Sequence, residues 1–245
     1  MKPGHLPRLT TCAALTAACA LSLTAAAGPL TFNQVALTGE SAPGVADGAA
    51  FGSFSFPALN ASGDVAFRAE LQTGTGPTVT FDNAFAIFGP TSGAGSVLGL
   101  IAREDAPAPG VSDGAAFDFF DSEVVLNASG DVAFEADLRT SSGAAVIEFG
   151  PDSNDEAIFG PTSGAGSGFG GALGLIAREN DLAPGVADGA EFDIFVGEPV
   201  LNGSGDVAFE ALLRTGTGAA AARRGTGLIH GPPFSLPNPA SHLFL

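Results

Sequence analysis

The 245-residue sequence has no tryptophan, no tyrosine, one methionine, two cysteines and a single lysine. Both cysteines, Cys12 and Cys19, fall within the first 27 residues, so the chain beyond them has no thiol nucleophile, disulfide or cysteine-ligated metal. Histidine is nearly as scarce. His230 and His242 are the two beyond that segment, both near the end, which leaves a Ser-His-Asp arrangement and a histidine metal pair unsupported. Nine basic residues face 26 acidic ones, a net charge of -17. Such a chain cannot supply the clustered Lys and Arg that displace counterions from nucleic acid or an anionic membrane. Without Tyr or Trp it also lacks the amphipathic aromatics that favour sugar sites. After the first 27 residues no stretch reaches the roughly 18 apolar residues of a membrane span, which argues against a transmembrane helix in the mature chain.

Residues 1–27 read as a secretory signal. Lys2 and Arg8 form a positive start, Leu9 to Thr24 is apolar and small, and Ala25-Ala26-Ala27 offers a cleavage site before Gly28. A lipoprotein signal at Cys19 fits less well, since Thr16 occupies a position that wants an aliphatic side chain. The expectation is an exported protein, placed in the extracellular space, at the cell surface or in the periplasm. Cleavage leaves seven arginines against the same 26 acids, 7 - 26 = -19, and no lysine. Hydrophobic residues at 45% can still bury a core, while 35 Gly and 17 Pro imply many turns.

What is abundant is repetition. Leu59-Asn60-Ala61-Ser62-Gly63-Asp64-Val65-Ala66-Phe67 returns as Leu126 to Phe134 and, with Gly203 for alanine, as Leu201 to Phe209. Each copy follows a Phe-x-x-Phe: Phe51 and Phe54, Phe117 and Phe120, Phe192 and Phe195. A Pro-Gly lies further upstream, at Pro43, Pro109 and Pro184. Ala86 to Gly93 recurs as Ala157 to Gly164, and each leads into Gly-Leu-Ile-Ala-Arg-Glu at Gly99 and Gly174. Apolar residues alternate with polar ones in Val65-Phe67-Ala69-Leu71 and its counterparts, the period of a half-buried strand. Asn-Ala-Ser-Gly suits a tight hairpin turn in which Gly takes the left-handed conformation.

The fold class expected is therefore all-β: tandem repeats of about four short antiparallel strands, propeller-like blades in an incomplete or open ring. The domain reading is a signal at 1–27, a β-repeat domain at 28–217 and a degenerate or disordered tail at 218–245. Within the domain the units run about 35–98, 99–173 and 174–217, the last incomplete. Phe32 to Leu37 matches the fourth strand of a unit, as when a propeller closes its ring with an N-terminal strand.

The signature Asn60/Gly63/Ala66/Phe67, Asn127/Gly130/Ala133/Phe134 and Asn202/Gly205/Ala208/Phe209 resembles the NxxGxxAF tandem-repeat, or choice-of-anchor, proteins of bacteria. The resemblance spans about Val35 to Leu213. It implies an exported or surface-attached protein and transfers no activity or catalytic residue. After Thr217 the repeat decays, and Phe234 to Leu245 has neither an apolar anchor helix nor a basic stop.

Carboxylates are the remaining resource for chemistry. Glu104, Asp105, Asp113, Glu179, Asp181 and Asp188 recur around the Pro-Gly turns, with Glu40 and Asp47 in the first unit. Stacked repeats would bring such loops to one edge, an oxygen-rich row suited to Ca2+. Asp152 to Glu156 is a second candidate without the Gly and distal Glu of an EF-hand. A solvated acidic face with Asp-Gly turns explains the same residues with no ion. Gly166 to Gly171 matches GxGxxG but precedes a strand, so it reads as a loop. The phenylalanines read as core packing between repeats. Together these point to a non-enzymatic exported scaffold, structural, adhesive or ligand-binding, with calcium as its candidate ion. Its partner would be a surface or matrix component or a second copy of itself. The alternative is a secreted carboxylate-based hydrolase or lyase on the same scaffold.

Overall fold

The computed structural model describes residues 33–74, 78–121, 123–139, 146–147, 153–162, 172–186 and 189–214, together with the backbone of 225–231. All regular structure among them is extended apart from one 3-10 turn at Phe81–Asn83. The first sheet contains β1 (Phe51–Phe54), β2 (Ala58–Leu59), β3 (Val65–Leu71), β4 (Phe85–Pro90) and β5 (Leu98–Arg103). The second contains β6 (Ala116–Phe119), β7 (Val125–Leu126), β8 (Val132–Arg139), β9 (Glu156–Pro161) and β10 (Leu173–Arg178). The third contains β11 (Glu191–Leu201), β12 (Val207–Arg214) and β13 (Gly225–Gly231).

Each sheet is an antiparallel meander, ordered β1-β3-β4-β5, β6-β8-β9-β10 and β11-β12-β13. The short β2 and β7 pair with β3 and β8 beside β1 and β6, so they continue the first strand past a break. In the third sheet β11 spans both segments, and its register slips between Val196 and Val200 where the others break. Sequence reading placed one short strand before each Asn-turn; the Phe-x-x-Phe segment forms most of it. The all-β repeat architecture is as expected, and among the described residues no closed ring is seen.

Two boundaries differ from the sequence reading. Unit edges at 98/99 and 173/174 would detach β5 and β10 from the sheets in which they pair, Ala86↔Arg103 and Arg178↔Ala157. The sheets close a few residues later because Leu-Gly-Leu-Ile-Ala-Arg pairs backward with Ala-Ile-Phe-Gly-Pro. The strand expected at Phe32 to Leu37 is absent over its described part: Asn33 to Leu37 pairs with no strand, although Ala36 packs on the first core. Its counterparts β5 and β10 each pair with the strand before them, β4 and β9.

Alternation along β3, β8 and β12 divides each sheet into two faces. Phe67, Phe134 and Phe209 point into their own unit's core with the Phe-x-x-Phe rings. Phe67 stacks on Phe88 at 5.8 Å between centroids, and Phe134 on Phe159 at the same 5.8 Å. Ala66 and Ala133 point the other way, and each is buried by the next unit. Gly89 and Gly160 widen that seam, since a Cβ at either would lie 3.2 Å or 2.8 Å from the next unit's Val132 or Val207.

The repeated asparagine joins the units. Asn127 Oδ1 accepts from the amides of Ser129 and Asp131, both at 2.9 Å, and closes its own turn. Its Nδ2 donates to Asp131 Oδ2 at 2.8 Å and to the carbonyl of Asn202 in the next unit, also at 2.8 Å. Asn60 does the same toward Asn127 O at 2.9 Å. All four hydrogen-bonding valences of the amide are filled. Gly63, Gly130 and Gly205 complete the turns at φ 83–85°, where a side chain is strained.

Two stability outcomes are expected in urea melts. Phe134→Ala should cost about 3–5 kcal/mol because its ring is fully buried, whereas Phe56→Ala, 74% exposed, should change little. Asn127→Ala should cost about 2–4 kcal/mol from several lost hydrogen bonds, more than Asn202→Ala, whose amide reaches no further unit among the described residues.

Candidate functional site

The carboxylates singled out by sequence divide into separate duties. Asp113 pairs with Arg178 at 2.6 Å and Asp47 with Arg103 at 3.1 Å, each tying a Pro-Gly loop to the last strand of its own sheet. Hydrogen bonds from Thr78, Arg103 and Ala49 hold Asp47 below the ordinary carboxylate range. Burial opposes ionisation of Asp113, but Arg178 and the Ala115 amide outweigh it and its pKa is lowered too. Glu104 turns inward and accepts from the Phe85 amide at 2.8 Å; Glu179 accepts from the Glu156 amide at 3.4 Å. Asp105 and Asn180 both adopt left-handed backbone, φ 64° and 68°, and receive Arg139 and Arg214 from the following unit. Asp181 lies at the surface of the third Pro-Gly loop. Asp188, Asp152 and the Gly166 to Gly171 loop lie outside the described residues. Among the described residues no three His, Cys, Asp or Glu side chains are grouped to hold a metal ion.

A different set of acids does converge. The two seams between sheets are built from equivalent positions carrying opposite chemistry. At the first, the Arg68 guanidinium lies 5.5 Å from the rings of both Phe85 and Phe119 and donates to the carbonyl of Phe120. At the second, Glu135 stands where Arg68 stood, Glu156 replaces Phe85 and Ile194 replaces Phe119. Glu156 Oε2 accepts from the Phe195 amide at 3.2 Å. Burial pushes Glu135 up to about 7, helped by the charges of Glu156 and Asp121. Asp137 is pushed up to about 8 by burial and by the charge and hydrogen bond of Asp121. Glu179 and Glu104 are raised to about 7, and Glu156 is raised as well, each chiefly by burial.

Half-buried carboxyls that keep a proton near neutrality have the acidity of general acids and can share protons with an ionised neighbour. Recurrence points to Glu104 and Glu179, and the Asp152 to Glu156 run includes Glu156, but neither signal reaches Glu135 or Asp137. The signal that finds this group is the reverse: positions 68 and 135, and 85 and 156, where aligned repeats change charge or polarity.

A family described as "Family of unknown function (DUF7453)" matches residues 22–150, just over half of the chain. The chain belongs to this family. No curated protein and no solved structure matches it. The DUF7453 match takes in the first sheet and the second as far as β8, including the asparagine turns at Asn60 and Asn127. The third copy of the turn, at Asn202, lies beyond the match yet repeats the geometry, with Oδ1 accepting from Ser204 and Asp206 at 2.8 and 2.9 Å.

The acid seam fixes a pH response. Glu135, Glu179 and Asp137 are raised in the folded chain, so between the unfolded carboxylate range and about 7 to 8 the folded state holds more protons. Their contribution is greatest below that window and is lost as pH rises through it. Asp47 and Asp113, lowered when folded, act oppositely and lose their contribution in acid. Melting temperature should therefore peak near about pH 4–5 and decline toward pH 8. Glu135→Gln should flatten the decline.

Proposed function

We propose that this DUF7453 protein is an exported, non-enzymatic repeat scaffold, structural, adhesive or ligand-binding, at the surface or outside the cell. The observation that carries the reading is the use of the signature residues. Asn60, Asn127 and Asn202 close turns, Asn60 and Asn127 link units, Ala66 and Ala133 are seam contacts, and the phenylalanines are core. The most repeated residues thus make the architecture. The leader at residues 1–27 and the resemblance to NxxGxxAF choice-of-anchor proteins support export. The acidic Pro-Gly loops enter as loop anchors, since Asp47 and Asp113 hold arginines and Glu104 holds a backbone amide.

A second reading, a carboxylate-based hydrolase or lyase, is favoured by one observation: Glu135 and Glu156 join Asp137 at the second seam, where the first seam has only Glu70 beside Arg68 and Phe85. The test is to express the full chain with its leader, identify the N-terminus of the secreted form, and assay it against glycan and ester panels between pH 4 and 8. Release beginning at Gly28 with no turnover is expected. Turnover abolished by both Glu135→Gln and Asp137→Asn would replace the scaffold reading with the enzyme.

A further inference from the structure

The unit-to-unit contact occurs twice within the chain, and its two halves are each left over once. In the forward half, a sheet offers Ala66 and Ile87, or Ala133 and Ile158, all 0% exposed beneath the next unit. The receiving half is the next unit's Phe120, Val124 and Val132, or Phe195, Pro199 and Val207, and these are buried as well.

At the first sheet the receiving half is uncovered. Phe54, the counterpart of the fully buried Phe120, is 40% exposed; Pro57 is exposed, Leu59 is 70% exposed, and Val65 is only partly buried. At the third sheet the forward half is uncovered. Ala208, the counterpart of Ala66 and Ala133, is partly exposed, and it shares its face of β12 with exposed Glu210 and half-buried Leu212. The asparagine ladder ends at the same two places. Asn127 O receives Asn60 Nδ2 and Asn202 O receives Asn127 Nδ2, while Asn60 O receives only the Gly63 amide of its own turn among the described residues. At the far end Asn202 Nδ2 donates, among the described residues, only to Asp206. One end lacks a donor, the other an acceptor.

We propose that a second copy of this chain covers these faces, joining head to tail: Phe54, Pro57, Leu59 and Val65 of one copy seat on Ala208 and Leu212 of the next, and Asn202 donates to the next copy's Asn60 carbonyl. The contact is heterologous, so it yields a closed ring when its rotation closes and a filament when it does not. The second copy is specified by complementarity already on display twice, and the association stands independently of export or catalysis.

Sedimentation velocity of the secreted chain across a wide concentration range tests it. The expected result is a mass rising from one chain to multiples of it. Leu59→Asp blocks the head, and Ala208→Arg or Leu212→Asp blocks the tail; each variant with an unchanged far-UV spectrum should remain a single chain. An equimolar mixture of head-blocked and tail-blocked variants should double in mass and stop there, because one competent pair of faces survives. A parent chain that stays monomeric at every concentration would overturn the proposal, leaving the faces to a segment outside the described residues or to another protein. Association undiminished by both kinds of variant, or a mixture that stays monomeric while the parent associates, would overturn it equally.

Discussion

The interaction on which the rest depends is the asparagine amide shared between turns. One side chain fixes a hairpin from within and reaches the equivalent backbone carbonyl of the next unit, so local geometry and unit spacing are set by the same four valences. Replacement of the amide by another polar group breaks the coupling: a carboxylate cannot donate, and a hydroxyl cannot span both roles. With the turns held in line, Ala66 and Ala133 meet the next unit as small side chains, and Val132 and Val207 enter the space left by Gly89 and Gly160. Seam packing follows from turn spacing.

That dependence explains what was legible in the sequence. The ladder demands the same residues at the same offsets, so repetition, the period-2 strands and the left-handed glycines could be read directly, and Phe67, Phe134 and Phe209 identified themselves as core. Strand pairing was less legible. Leu98 to Arg103 carries no mark of whether it joins the sheet before or after it; the decision is made by tertiary pairing with β4. Likewise Asn33 to Leu37 resembles β5 in pattern yet forms no strand, and local propensity alone does not make one.

The candidate site was poorly legible for a related reason. Recurrence singles out residues that serve the repeat, and Asp47, Asp113, Glu104 and Glu179 recur because each anchors a loop or strand end. Groups that distinguish one unit from another must appear where the repeat fails. Arg68 against Glu135 and Phe85 against Glu156 are such failures, and their meaning emerges only when two sheets are stacked and the side chains meet.

The two seams also show how much freedom the ladder leaves. The first has a cation between aromatic rings, an arrangement that is favourable when partly desolvated. The second places several carboxyls in mutual range, where burial and like charge oppose ionisation and the seam loses stability as its protons leave. Backbone position is nearly the same in both, as the matching registers Phe67↔Phe88 and Phe134↔Phe159 show. The turn therefore supplies a constant frame, and the seam face is its variable surface.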